Sequence, residues 1–135
     1  MKAKNVLLIE NCDLDAILIK ESLKQNGKLC NINLLQHRGE VAAYFEKLIV
    51  QKKNEIPDLI IANWELIMNN GVNMLSPLSS LENSFIPVVI FTSSGPDMRP
   101  HFNKQTCCYI KKPLDVREFL AIIKEIKYSW LSFVN

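Results

Sequence analysis

Several things are scarce in this chain of 135 residues. No apolar run approaches the roughly 18 residues that would cross a bilayer, so no membrane partner is expected. The opening MKAKNVLLIENCD meets an acidic residue too early for a signal peptide, and none is expected. Charge of one sign is equally scarce. Sixteen Lys and Arg against fourteen Asp and Glu leave +2, too little for a protein that holds nucleic acid mainly through a basic field. The cysteines, Cys12, Cys30, Cys107 and Cys108, form no CxxC and no Cys/His cluster, so nothing points to zinc. Adjacent Cys107 and Cys108 rarely bridge each other, and the expectation is a reduced, cytoplasmic protein. The segment LIENCDLD contains no glycine. That places a nucleotide or other small-molecule binder, which would need a glycine-rich phosphate loop there, last among the readings.

What is present is enough for a core. At 48% hydrophobic and 22% charged, disorder is excluded, and residues 1–135 read as a single domain. Short apolar runs end abruptly at polar residues: Val6 to Ile9, Ile32 to Leu35, Leu59 to Ala62, Val88 to Phe91 and Cys108 to Ile110. Rich in Val and Ile and mostly without alternation, they read as strands covered on both faces. Between them lie stretches with helical spacing. The first has Asp13 as N-cap candidate, Ala16, Ile19 and Leu23 on one stripe, and Gly27 as a stop. The second carries Val41, Phe45, Leu48 and Ile49. A third is expected from near Gly71, with Val72, Leu75 and Leu78, interrupted at Pro77. A fourth, between Asp97 and Lys104, is the shortest. The fifth runs from Asp115 to about Phe133, with Val116, Phe119, Leu120, Ile123 and Ile126 facing inward.

Strand and helix thus alternate five times, which makes an α/β three-layer sandwich: a parallel sheet with helices on both faces, joined by right-handed crossovers. In such sheets, ligands collect beyond the carboxyl ends of the strands. The first strand runs into Glu10-Asn11-Cys12-Asp13, the third into Asn63-Trp64-Glu65, the fourth into Thr92-Ser93-Ser94 and the fifth into Lys111-Lys112-Pro113. A carboxylate, an amide, a hydroxyl and an ammonium converge there.

At these residues, from about Val6 to the last helix, the chain resembles the receiver domain of bacterial two-component response regulators. The resemblance implies a flavodoxin-like (βα)5 fold, CheY-like, with sheet order 2-1-3-4-5. It also implies a role in phosphorelay signal transduction. In that family an acidic pair ends the first strand, and an Asp ending the third strand accepts a phosphoryl group. A Thr or Ser ends the fourth strand, and a Lys precedes a Pro after the fifth. Lys112-Pro113 supplies the phosphate-site lysine, Thr92 in PVVIFTSS the switch hydroxyl, and Tyr109 the switch aromatic. Asn63 in PDLIIANWEL holds the phosphoacceptor position, with Gly71 eight residues later. The metal site implied by the resemblance comprises Glu10, Asn11, Asn63 and the backbone of Glu65. The departures are two amides: Asn63 replaces the acceptor Asp, and Asn11 replaces a metal-binding acid. Ile67 also stands where the family usually has Pro.

An Asn amide is neutral, delocalised and a poor nucleophile, so no acyl phosphate is expected at Asn63. Mg²⁺ demands hard oxygen ligands. Each unit charge at ~4 Å is worth on the order of a few kcal/mol at an effective dielectric near 20, so losing two makes Mg²⁺ binding weak or absent. With Lys112 and Glu10 of opposite sign, the pocket is expected to be close to neutral. Asn63 and Lys112 are expected to hydrogen-bond without metal. No cofactor and no enzymatic activity are expected.

The leading expectation is a stand-alone pseudo-receiver, a non-catalytic module that acts through protein–protein interaction. Its expected partners are signalling proteins such as a histidine kinase or another two-component protein. The chain ends with the fifth helix, so no output domain is expected. The alternative is a working receiver accepting phosphate from a histidine kinase, its acceptor altered or located elsewhere. One altered residue would not explain two lost carboxylates. Tyr109 is expected in a fixed rotamer, and Cys12 as a semi-buried structural thiol at the pocket rim. His37 and His101 read as loop residues, Glu65 as solvent-exposed and Asn70-Gly71 as a turn. In KYSWLSFVN, Tyr128, Trp130, Leu131, Phe133 and Val134 are too many apolar groups for one inward stripe. An outward patch there suggests a homodimer through the fourth helix, fifth strand and fifth helix.

Overall fold

Five parallel strands form one sheet in the computed structural model, which describes residues 4–24, 30–51, 56–69, 72–75, 86–92 and 107–130. In chain order the elements are β1 (Lys4–Ile9), α1 (Asp13–Lys24), β2 (Cys30–Leu35), α2 (Arg38–Gln51), β3 (Leu59–Asn63) and α3 (Trp64–Ile67). Then come β4 (Met68–Asn69), β5 (Val72–Asn73), β6 (Val88–Thr92), β7 (Cys107–Lys111) and α4 (Val116–Trp130). The main sheet runs β2-β1-β3-β6-β7, all parallel. Counting only its own strands, that is the expected order 2-1-3-4-5.

The register aligns the strand ends. Ile9 lies opposite Leu35 and Ala62, Asn63 opposite Phe91, and Thr92 opposite Lys111. Residues just past those pairs therefore share one edge of the sheet. Two apolar layers cover its faces. On one side Ala16, Ile19 and Leu23 of α1 and Phe119, Ile123 and Ile126 of α4 bury Val6, Leu8, Leu59, Ile61, Val89 and Phe91. On the other, Val41, Phe45 and Leu48 of α2 pack on Leu7, Ile9, Ile60, Ala62 and Ile90. The central strands β1, β3 and β6 are buried on both faces, which is why they read as unbroken apolar runs. Edge strand β2 differs from that reading: Asn31 and Asn33 are exposed, so the strand alternates.

Local chemistry sets the helix starts. At α2 the backbone N–H groups of Gln36 and His37 donate to Glu40 Oε1 at 2.8 and 3.2 Å, while Val41 N donates to the His37 carbonyl at 3.1 Å. His37 is therefore the cap residue, and Glu40 reaches back to it as in a capping box. Those two donors hold the Glu40 carboxyl below its ordinary pKa. At α1 the cap is Cys12 rather than the expected Asp13: Ala16 N donates to the Cys12 carbonyl at 2.9 Å. Asp13 is the first helical residue, and its carboxylate accepts from Gln36 Nε2 at 2.8 Å. Burial pushes the Cys30 thiol up, against the lowering influence of Lys127.

Two further expectations change. The expected third helix does not begin at Val72: residues 72–73 form β5, which pairs antiparallel with β4, and the short α3 follows β3 directly, while the expected course from residue 76 on lies outside the described residues. The β-branched Val72 suits an extended arm, and Asn70-Gly71 between two such arms is a hairpin signal that outranks a helix start there. Val116 is half exposed at 50%; it lies in the first turn of α4, past the sheet, so the inward stripe begins at Phe119. The fourth helix, Gly27, Pro77, Leu78, Ser93, Ser94, His101, Asn70-Gly71 and residues 131–135 lie outside the described residues, as does the Trp130 side chain. Tyr128 is 77% exposed. Among the described residues no helix is long and apolar enough to cross a membrane.

Two neighbours on α1 separate core from surface: Ile19 is fully buried and Ile17 is 55% exposed. Ile19→Ala is expected to cost about 2–5 kcal/mol, and Ile17→Ser to stay within about 0.5 kcal/mol of wild type, both read from urea unfolding midpoints.

Candidate functional site

The aligned strand ends deliver Glu10, Asn63, Thr92 and Lys112 to one edge of the sheet. Glu10 is 1% exposed and is held in place by its backbone N–H, which donates to the Leu35 carbonyl at 3.1 Å. A carboxylate so buried must find hydrogens. Its Oε2 accepts from Cys12 N at 3.1 Å and from Asn63 Nδ2 at 3.3 Å, and its Oε1 accepts from Lys112 Nζ at 3.1 Å. Lys112 is placed by its own backbone, whose N–H donates to the Thr92 carbonyl at 2.7 Å. Its ammonium also donates to Asp15 Oδ2 at 2.8 Å and stands 6.0 Å from the centre of the Phe119 ring.

Asp15 was not among the expected site residues, and it changes the charge count. One ammonium faces two carboxylates, so the formal charge of the trio is −1 rather than the expected near-neutral value. The signal was present in the sequence: Asp15 lies one turn before Ile19 on the border of the inward stripe, in a helix that starts at the site. Burial acts to lower the Lys112 pKa, but the Asp15 hydrogen bond together with Glu10 outweighs it, leaving the group above its ordinary 10.5.

Asn63 closes β3 and caps α3. Its Oδ1 accepts from Glu65 N at 3.0 Å. The backbone donor fixes which end of the amide is which, so Nδ2 faces Glu10 Oε2 and, at 3.4 Å, Asn11 Oδ1. The expected direct link between Asn63 and Lys112 is replaced by their convergence on Glu10. Glu65 is exposed, as expected. Its carbonyl accepts from Arg38 Nη2 at 2.7 Å, and Arg38 Nε donates to the Met68 carbonyl at 3.3 Å. Arg38 was also missed; an Arg opening a helix far along the chain carries no sequence signal for this contact. Thr92 is 7% exposed. Tyr109 is half-buried, its ring edge-on to Trp64 with centroids 6.0 Å apart. Cys12 is exposed rather than semi-buried as expected, because it lies in the turn that caps α1, and His37 is exposed.

Mg²⁺ is the cation implied for such a site, and the residues as arranged do not fit one. Both Glu10 oxygens are engaged by hydrogens, and Asn63 turns its NH₂ toward the oxygens that an ion would need. Among the described residues no group of three or more His, Cys, Asp or Glu side chains is placed to hold a metal ion.

No family model matches the sequence, and no curated protein matches it. Solved structures do. The chain superposes on the phosphorylated cyanobacterial phytochrome response regulator RcpA with a TM-score of 0.71 and 23% identity, over 99% of this chain and 98% of that one. The fold is that of a response regulator receiver domain. A receiver domain from Rhodospirillum rubrum gives a TM-score of 0.73 at 18% identity, over 96% and 95% of the two chains. The Mn²⁺-bound form of the response regulator Rcp1 gives 0.67 at 21%, over 98% and 97%. At these identities the likeness is one of fold.

The ion pair gives a sign-defined prediction. Lys112→Met leaves Glu10 buried without its cation and is expected to cost about 3 kcal/mol at neutral pH. A raised lysine pKa gives stability that is complete below 10.5 and lost as the pH climbs through the raised value. The gap between wild type and variant, measured by urea unfolding, should therefore narrow above that pH.

Proposed function

We propose that the chain is a receiver-like signalling module of the two-component type that is not phosphorylated at Asn63 and works by protein–protein contact. The observation that carries this reading is the orientation of Asn63. At the position where the resemblance puts the acceptor, a backbone N–H takes the side-chain oxygen and the NH₂ points at Glu10 and Asn11. Phosphoryl transfer needs an oxygen nucleophile open to attack in line. This one is an amide oxygen already serving as a helix cap. The surrounding hydrogen bonds support the reading from a second side, since Glu10, Lys112 and Asp15 satisfy one another without an added ion. Partners under this reading are other signalling proteins, recognised by the module's surface rather than by chemistry at the strand ends.

A second reading has one observation in its favour. Lys112 and Thr92 reach the same edge as in a working receiver, joined by the Lys112 N to Thr92 O bond at 2.7 Å, so a phosphoryl group elsewhere on the chain is the competing possibility. Incubation with acetyl phosphate followed by intact mass separates the two. No increment is expected for wild type, and a stable gain of about 80 Da, the mass of one phosphoryl group, overturns the first reading. In the same series the thermal midpoint is expected not to move with Mg²⁺ or with beryllofluoride, because ligands stabilise only what they bind.

A further inference from the structure

Arg38 opens α2, yet its guanidinium spans to the corner behind β3. Nη2 lies 2.7 Å from the Glu65 carbonyl oxygen and Nε lies 3.3 Å from the Met68 carbonyl oxygen. That corner needs donors. A helix of four residues leaves its last carbonyls without intrahelical partners. Met68 N answers Trp64 O and Met74 N answers Ile67 O, and Arg38 answers Glu65 and Met68. A planar fork reaches two carbonyls at once, which a lysine ammonium does less rigidly.

The Glu65 carbonyl is the backbone oxygen that the receiver resemblance assigns to a metal ion, and it holds a charged hydrogen-bond donor here. On the facing side Asn63 offers N–H rather than oxygen. We propose that Arg38 stands in for the divalent cation at the corner between β3 and α3, as a protein-borne positive charge that fixes the Glu65 and Met68 carbonyls and bars a metal ion from them. An ion arriving at Glu65 O must share that oxygen with a charge-assisted hydrogen bond or displace it, and in either case settle beside a like charge. Arg38 is thus a positioning residue, and α2 is tied to α3 through it. The inference deepens the proposed function and rests on it for the absence of a required metal.

Four chains test it: wild type, Arg38→Gln, the pair Asn11→Asp with Asn63→Asp, and that pair combined with Arg38→Gln. Binding of Mn²⁺ is read from the loss of the free-ion electron paramagnetic resonance signal. With both acids restored, removing the Arg38 charge is expected to tighten Mn²⁺ by at least about ten-fold, while wild type takes up none at the same concentrations. Equal affinity with and without Arg38 overturns the stand-in role and leaves the proposed function intact. Uptake by wild type as tight as by the acidic pair overturns both. Should the acidic chains fail to fold, Arg38→Gln alone decides by hydrogen exchange. The Met68 and Met74 amides are expected to exchange about ten-fold faster, with Arg38→Lys restoring part of the protection. Unchanged exchange at both amides overturns the proposal.

Discussion

A carboxylate cut off from water is the constraint on which the carboxyl edge of this sheet depends. Glu10 is buried at the end of β1, and an ionised group there is tolerable only if each oxygen is met by hydrogens. Three different elements supply them: the turn into α1 through Cys12, the end of β3 through Asn63, and the segment after β7 through Lys112. Because the donors come from residues 53 and 102 positions away, the network ties strands that are distant in sequence. The ends of β1, β3 and β7 cannot move independently without leaving a buried charge unmet. Asp15 extends the same network to the first turn of α1 and keeps Lys112 engaged from a second side.

The amide at position 63 follows from that constraint. A carboxylate there would face Glu10 with acceptors only, and one of its oxygens would still be claimed by Glu65 N. An asparagine resolves both demands, with its acceptor toward the backbone donor and its donor toward the buried acid. The asparagine's role as cap of α3 and its role beside the buried acid are therefore one fact. The same logic applies at Asn11, whose Oδ1 receives the remaining Asn63 hydrogen.

Much of this was legible in the sequence, for identifiable reasons. The strands of the sheet announced themselves because β1, β3 and β6 are buried on both faces and so lack alternation. The site residues Glu10, Asn63, Thr92 and Lys112 were found because the register rule for parallel sheets puts strand ends on one edge whatever the side chains are. What escaped was geometry carried by helices. Asp15 carries only the weak signal of its place on the border of the inward stripe of α1, and Arg38 reads as an exposed helix residue until α3 exists beneath it. The short helix itself was hidden because WELI is too brief to show a helical period, and its cap, Asn63, reads as a site residue. Asp13 failed as a cap for the converse reason: its composition suited the position, but the chain enters α1 one residue earlier, at Cys12, where a backbone carbonyl suffices.

The aromatic pair on the far side of Asn63 completes the physical picture. Trp64 follows Asn63 directly, and Tyr109 of β7 packs edge-on against its ring. Tyr109 stands three residues before Lys112 on the same strand segment. The two ends of the Asn63–Glu10–Lys112 chain are thus joined a second time, by an aromatic contact on the other face. Any rotation of Tyr109 away from Trp64 must forfeit an edge-to-face contact worth about 0.5–1.5 kcal/mol while the ion pair nearby stays in place.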